Sequence, residues 1–275
     1  MIKRPALPIL SHHDASLHET MRVLNERRRM LKLLGGVGAF ALVSKSALAC
    51  TVIPEETAGP YPGDGSNGPN VLTQDGIVRA DIRSSFGASG TNTAAGTLTT
   101  VTLNLVSTTS GCEQLAGLAV YLWHCNASGG YSMYSSGVTN ENYLRGVQVS
   151  DSNGQVTFTS IFPGCYSGRW PHIHFEIYAS LEDALGGGDP IRTSQLAMPE
   201  ATCRQVYAQS SLYPSSLNNL NQISLNSDNV FGDDGGVTQI PTVTGDNTNG
   251  YAASLEVGVA VDATSTDLVF SDGFD

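Results

Sequence analysis

The stretch Tyr166-Ser167-Gly168-Arg169-Trp170-Pro171-His172-Ile173-His174-Phe175-Glu176-Ile177-Tyr178 decides the reading of this chain. From His172 onward it alternates like a β-strand. Side chains two apart on a strand share a face, roughly 6.6 Å along the backbone, so both imidazoles can reach one metal while Ile173 turns to a core. A phenol, Tyr166, stands six residues before His172, and a guanidinium, Arg169, three before it. Imidazole suits zinc, copper, iron or nickel alike, whereas a hard, anionic phenolate favours a trivalent ion, above all Fe(III). A lone His-x-His also arises as two polar residues on the wet face of a half-buried strand. Here the only other histidine after residue 50 is His124, and a second Gly-Tyr element lies upstream, Leu122-Trp123-His124-Cys125-Asn126-Ala127-Ser128-Gly129-Gly130-Tyr131.

The 275 residues suffice for a sizeable core in one domain. Residues 1–49 read as a leader. Arg27-Arg28-Arg29 precedes a Gly-softened apolar stretch, Met30 to Val43, and Ala47-Leu48-Ala49 ends a small-x-small cleavage pattern before Cys50. The paired arginines suggest the twin-arginine route. The apolar run is too short to span a bilayer, and Met1 and Met21 both remain open as the start. The expectation is an exported, periplasmic or extracellular protein with a single domain over 50–275. Cys50 at the new N-terminus is a candidate for lipidation.

Of the 14 basic and 25 acidic residues, eight and three lie before Cys50, leaving six arginines and 22 acidic residues, a balance near −16. That excludes nucleic acid as a partner and disfavours polyanions, although one placed arginine can still hold one carboxylate. Five cysteines (50, 112, 125, 165 and 203) in an exported chain suggest disulfides, with one left over. Cys50 is the natural odd one out. A Cys165–Cys203 bridge is expected, because it would tie the segment closing the pocket to the loop bearing Tyr166.

Period-2 patterning predicts strands near 99–107, 117–124, 145–150, 155–162, 172–178 and 254–262. Asp151-Ser152-Asn153-Gly154 reads as a hairpin turn. Short helices are expected at 179–185 and 198–210, irregular chain over 51–75, and a long loop over 232–250. Thr- and Ser-rich strands with Gly-rich turns indicate an all-β fold, a β-sandwich with long loops and short helices.

With these elements in hand, the chain resembles the intradiol ring-cleavage dioxygenases, non-haem Fe(III) enzymes that open catechols between the two hydroxyls and include catechol and protocatechuate branches. The likeness runs from about residue 52 to about 200. Its parts come in the family's order: Thr57-Ala58-Gly59-Pro60-Tyr61, Leu122-Trp123 through Gly130-Tyr131, Phe162-Pro163-Gly164-Cys165-Tyr166, and Arg169 through His174, with the proline one place later than is usual. The resemblance implies one Fe(III) per chain at one end of the sandwich, held by Tyr131, Tyr166, His172 and His174. Tyr134 and Tyr143 compete for the first place. It also implies that Tyr131 acts as a base when substrate displaces it, and that Arg169 stabilises negative charge developing beside the metal. Pro60, Tyr61 and Gln195 would meet the substrate, a small aromatic diol cleaved with O2 to a cis,cis-muconate-type diacid. Trp123 and Trp170 read as core or pocket wall, and His124 as structural. Homo-oligomerisation stays open.

Two other readings remain. One is a non-catalytic secreted β-sandwich that keeps the scaffold for binding. The other is a different metalloenzyme, such as a copper oxidase using the histidine pair.

Overall fold

The computed structural model describes residues 50–209 and 211–263. The leader reading of residues 1–49 falls outside these residues. Among the described residues eight strands form two four-stranded sheets: β1 (Leu98–Ser107), β2 (Ala119–Trp123), β3 (Arg145–Val149), β4 (Gln155–Ile161), β5 (His172–Tyr178), β6 (Arg192–Ala197), β7 (Thr242–Asp246) and β8 (Gly250–Val259). One sheet has the order β4-β1-β8-β7 and the other β3-β2-β5-β6. All neighbours are antiparallel except β1 and β8. The helices are short: α1 (Leu181–Gly186), α2 (Glu200–Tyr207) and α3 (Ser216–Leu220). Among the described residues no helix is long and apolar enough to cross a membrane.

Alternation explains the main core. Val101, Leu103 and Leu105 of β1 and Val156 and Phe158 of β4 meet Val120 and Leu122 of β2 and Ile173, Phe175 and Ile177 of β5 in one buried cluster. The two sheets therefore face each other across it, as in a sandwich. The other face of β2 and β5 is buried as well. Tyr121, Trp123 and Tyr178 join Val71, Leu72, Ile77 and Tyr131 in a second cluster, covered by the irregular chain that precedes β1 and by α1. All seven residues of β5 are buried, so the histidine face is not a wet face.

Four sequence expectations change. The Asp151–Gly154 turn forms, closed by Gly154 N donating to Asp151 O at 2.9 Å. However, its flanking strands β3 and β4 enter different sheets, so it is a corner rather than a hairpin. Gly154 has φ +68°, and a Cβ there would sit 2.5 Å from Leu105 O, so only glycine fits. The 232–250 stretch is not all loop: Thr242–Asp246 is an exposed edge strand, too short and polar to register as a pattern. β6 was missed because Thr193, Ser194 and Gln195 are polar yet buried. Finally, Cys50 is joined to Cys112 with Cα atoms 5.6 Å apart, while Cys125, Cys165 and Cys203 are free and buried. The free thiols of Cys165 and Cys203 contradict the expected bridge between them, and a Cys50 sulfur held in a disulfide is not available for lipidation. The bridge closes 62 residues of separation and stabilises by about 4 kcal/mol through loop entropy.

Candidate metal centre

β5 projects His172 and His174 to the same side, and their Nε2 atoms lie 3.0 Å apart. Two loops bring phenols to that point. Tyr131 Oη is 3.2 Å from both Nε2 atoms, and Tyr166 Oη is 3.2 Å from that of His172. The loops can approach because of Gly129, at φ +87°, where a Cβ would stand 2.9 Å from Tyr166 Cβ. The competing phenols are committed elsewhere: Tyr134 Oη donates to Asn67 Oδ1 and accepts from Gly63 N, and Tyr143 Oη accepts from Asn126 Nδ2. Tyr131 is therefore the phenol of the first Gly-Tyr element that reaches the histidines.

The imidazoles are held in a defined state. His172 Nδ1 donates to Trp170 O at 2.5 Å, which leaves Nε2 with its lone pair toward the cluster. His174 stacks on Trp123, ring centroids 4.8 Å apart at 6°, and its Nδ1 has no partner although buried. Burial, reinforced by Arg169, pushes His172 down to about 3, and burial with His172 beside it drives His174 well below its ordinary value. Burial lifts Tyr166 to about 12, and burial with Tyr166 alongside lifts Tyr131 well above 10. On its own the pocket thus holds neutral imidazoles with free lone pairs and neutral phenols. A bound cation reverses the phenol preference, since a metal charge stabilises phenolate.

The donor set fits such an ion. Ligands about 2.0–2.2 Å from one metal and at right angles to one another are separated by about 2.8–3.1 Å, close to the 3.0–3.2 Å found here. Among the described residues no group of three or more His, Cys, Asp or Glu side chains gathers anywhere. Phenolate oxygens are therefore the anionic donors available beside the histidines, and they favour a hard trivalent ion.

Arg169 is not a surface ion pair. Its Nε donates to Asp228 Oδ2 at 2.9 Å and its Nη2 to Gln195 Oε1 at 2.8 Å, while Nη1 lies 3.5 Å from His172 Nε2. Asp228, buried beyond α3, also accepts from the backbone N–H of Trp170, Val230 and Phe231. Burial opposes its ionisation, but the Arg169 bond and these N–H donors outweigh that and hold its carboxyl below the usual range. No local pattern in the sequence marks Asp228; its role depends on a contact across 59 positions.

The segment 56–61 runs along one side of the site. Thr57 O accepts from Gln195 Nε2, a Cβ on Gly59 would lie 3.5 Å from His174 Cε1, and the Tyr61 ring is 5.1 Å from that of Tyr131. Tyr61 is 37% exposed and so available at the mouth. Pro60 is exposed, and its carbonyl accepts from Asn67 Nδ2. Gln195 is fully buried with both ends of its amide engaged, which suits it to orient Arg169 rather than to meet a ligand. His124 bonds Ser160 Oγ and Cys125 O, away from the cluster. Trp170 is buried, its Nε1 donating to Met198 O.

Comparison with known proteins agrees with this layout. A family model described as Dioxygenase matches residues 88–185, a span that contains Tyr131, Tyr166, Arg169, His172 and His174. The solved intradiol ring-cleavage dioxygenase from Tetranychus urticae is 26% identical, with a TM-score of 0.59 over 78% of this chain and 97% of its own. A second solved dioxygenase is 26% identical, with a TM-score of 0.60 over 78% of this chain and 96% of its own. No curated protein matches by sequence. Matched span, fold and side-chain arrangement agree in one likeness: the chain is similar to the intradiol ring-cleavage dioxygenases, which are oxidoreductases.

Proposed function

We propose that the chain binds one Fe(III) at one end of the sandwich and cleaves a catecholic aromatic with O2, between its hydroxyls, to a cis,cis-muconate-type dicarboxylic acid. The observation that carries this reading is the meeting of four donor atoms: Tyr131 Oη and the two histidine Nε2 atoms lie within 3.0–3.2 Å of one another, and Tyr166 Oη lies 3.2 Å from His172 Nε2. Tyr131, Tyr166, His172 and His174 hold the ion. When bound, it supplies the charge that keeps phenols and diol deprotonated and the orbital through which the ring yields electron density to O2.

The protein's own groups do the rest. His172 is fixed by Trp170 O and His174 by its stack on Trp123, so the donor positions are set before the ion arrives. With the ion bound, one of the two phenol oxygens would be the group that takes up a proton from an incoming diol. Burial favours Tyr166 for this step over Tyr131. Tyr166 is half-buried on a loop whose next residues are exposed, whereas Tyr131 is 2% exposed and packed by Tyr61, Tyr166 and His174. Arg169 Nη1 is the donor poised to stabilise negative oxygen beside the metal, its direction set by Asp228 and Gln195. Trp123 stacks on His174 and Tyr131 meets it edge-on, so buried rings wall the donor cluster on its protein side.

Iron content and a visible spectrum test the reading together. Purified protein should carry about one iron per chain with a broad phenolate-to-Fe(III) absorption that shifts on anaerobic addition of catechol. A colourless protein that stays colourless after iron loading overturns it. We further propose that residues 1–49 direct export and that 50–275 is one domain, resting on the arginine run and the Ala47–Ala49 pattern. Mass spectrometry of the mature N-terminus checks this, a start at Cys50 being the expected result.

A further inference from the structure

We propose that the ring accepted at this site bears no anionic substituent beyond its two hydroxyls, so that the substrate is an uncharged catechol and not a dihydroxybenzoate. This rests on the reading just given and narrows it.

The argument is an account of every cation beyond residue 50. There is no lysine there and there are six arginines. Arg145 is buried and spends its guanidinium on Pro62 O, Tyr61 O, Tyr121 Oη and both oxygens of Ser132. Arg79 reaches the carbonyls of Arg145 and Ser84 and lies over the Phe86 ring, 4.2 Å from its centroid. Arg83, Arg192 and Arg204 are paired with Asp81, Glu55 and Glu200. Arg192 also stands opposite Ile177, at the far end of β5 from His172. Among the described residues Arg169 is the cation that reaches the donor cluster, and it already holds Asp228.

The one N–H face that Arg169 leaves toward the site, Nη1, points to the donor atoms where the diol would bind, not to the far edge of a ring. The chain along the mouth offers Gly59 and the Tyr61 ring instead of charge. Acidic groups stand on that side instead: Glu56, hydrogen-bonded to Gln239 at 3.3 Å, with Asp233 and Asp234 near enough to act on it. A ring carboxylate would therefore lose its water without gaining a counter-charge.

The test compares catechol, 4-methylcatechol and 3,4-dihydroxybenzoate on the iron-loaded protein. It follows both kcat/KM and anaerobic binding through the shift of the visible band. 4-Methylcatechol controls for size, since a methyl group occupies the same ring position without charge. The expected result is efficient cleavage and binding of the first two, with the carboxylate lower by roughly 100-fold in both measurements, the scale of an unpaired buried polar group. Cleavage of 3,4-dihydroxybenzoate as efficient as that of 4-methylcatechol overturns the inference and leaves the parent reading standing. Rejection of 4-methylcatechol along with the carboxylate also overturns it, because size and not charge would set the limit. Failure to cleave or bind any of the three removes the parent reading, and this one with it.

Discussion

Strand β5 has two faces, both buried and built for opposite purposes. Ile173, Phe175 and Ile177 enter the apolar core between the sheets, where close packing and loss of water-exposed surface stabilise the fold. His172, His174, Glu176 and Tyr178 enter the second cluster, where polar groups are buried at a cost that hydrogen bonds only partly offset. His174 Nδ1 and Trp123 Nε1 have no partner there, and burial pushes Glu176 up to about 7. One face makes the fold and the other makes a site. Substitutions should separate them.

The widest separation is expected from His172→Ala and Tyr166→Phe. Both should abolish iron binding and visible colour, while metal-free thermal stability stays near that of the metal-free wild type. Iron should raise the melting temperature of the wild type alone. A variant that keeps stoichiometric iron and colour would remove its residue from the ligand set. On the inner face, Phe175→Ala should cost about 3–5 kcal/mol in denaturant unfolding of the metal-free protein. A loss below about 1 kcal/mol would mean that the two faces are not energetically distinct.

Arg169→Ala probes the boundary between them. The colour should remain and kcat should fall about 100- to 1000-fold, or roughly 2.7–4 kcal/mol, in single-turnover measurements. Wild-type turnover would dismiss the role given to the guanidinium. Asp228→Asn should act in the same direction but less, because the isosteric amide still accepts from the backbone while the ionic hold on Arg169 is lost. A fall of about tenfold in kcat with KM little changed is expected. A pure loss of thermal stability with normal kcat would make Asp228 structural only.

The smallest effect concerns Glu56, at the edge of the site, which burial raises to about 7 from 4.5. A carboxyl whose folded value lies above its unfolded one favours the folded state least when ionised. Stability should therefore decline as pH rises from about 4.5 to 7. Glu56→Gln should flatten that decline in melting curves across this window, and an unchanged slope would count against it.

Much of this was legible locally. The alternation of β1, β4 and β5 announces their strands, because period 2 is a property of the backbone and needs no partner. The same period places His172 and His174 on one face, and the residue types there name the donor chemistry. Edge strand β7 and buried strand β6 were not legible. The first is short, exposed and polar, and the second buries polar side chains by bonds that local sequence does not contain: Gln195 accepts from Arg169 and Gln239 and donates to Thr57 O.

By itself, then, the sequence determined the all-β class, the imidazole pair and its neighbouring phenols, and an acidic chain with six arginines beyond Cys50. Only the tertiary structure decided that Tyr131, and not Tyr134 or Tyr143, reaches the histidines. It likewise decided that Cys50 pairs with Cys112, that Gln195 serves Arg169, and that Asp228 anchors it. The physical reason is range. Strand periodicity is set by neighbours one or two residues away. Which distant groups meet depends instead on how loops close over 41, 59 or 62 positions, and on glycines such as Gly129 that let two backbones approach.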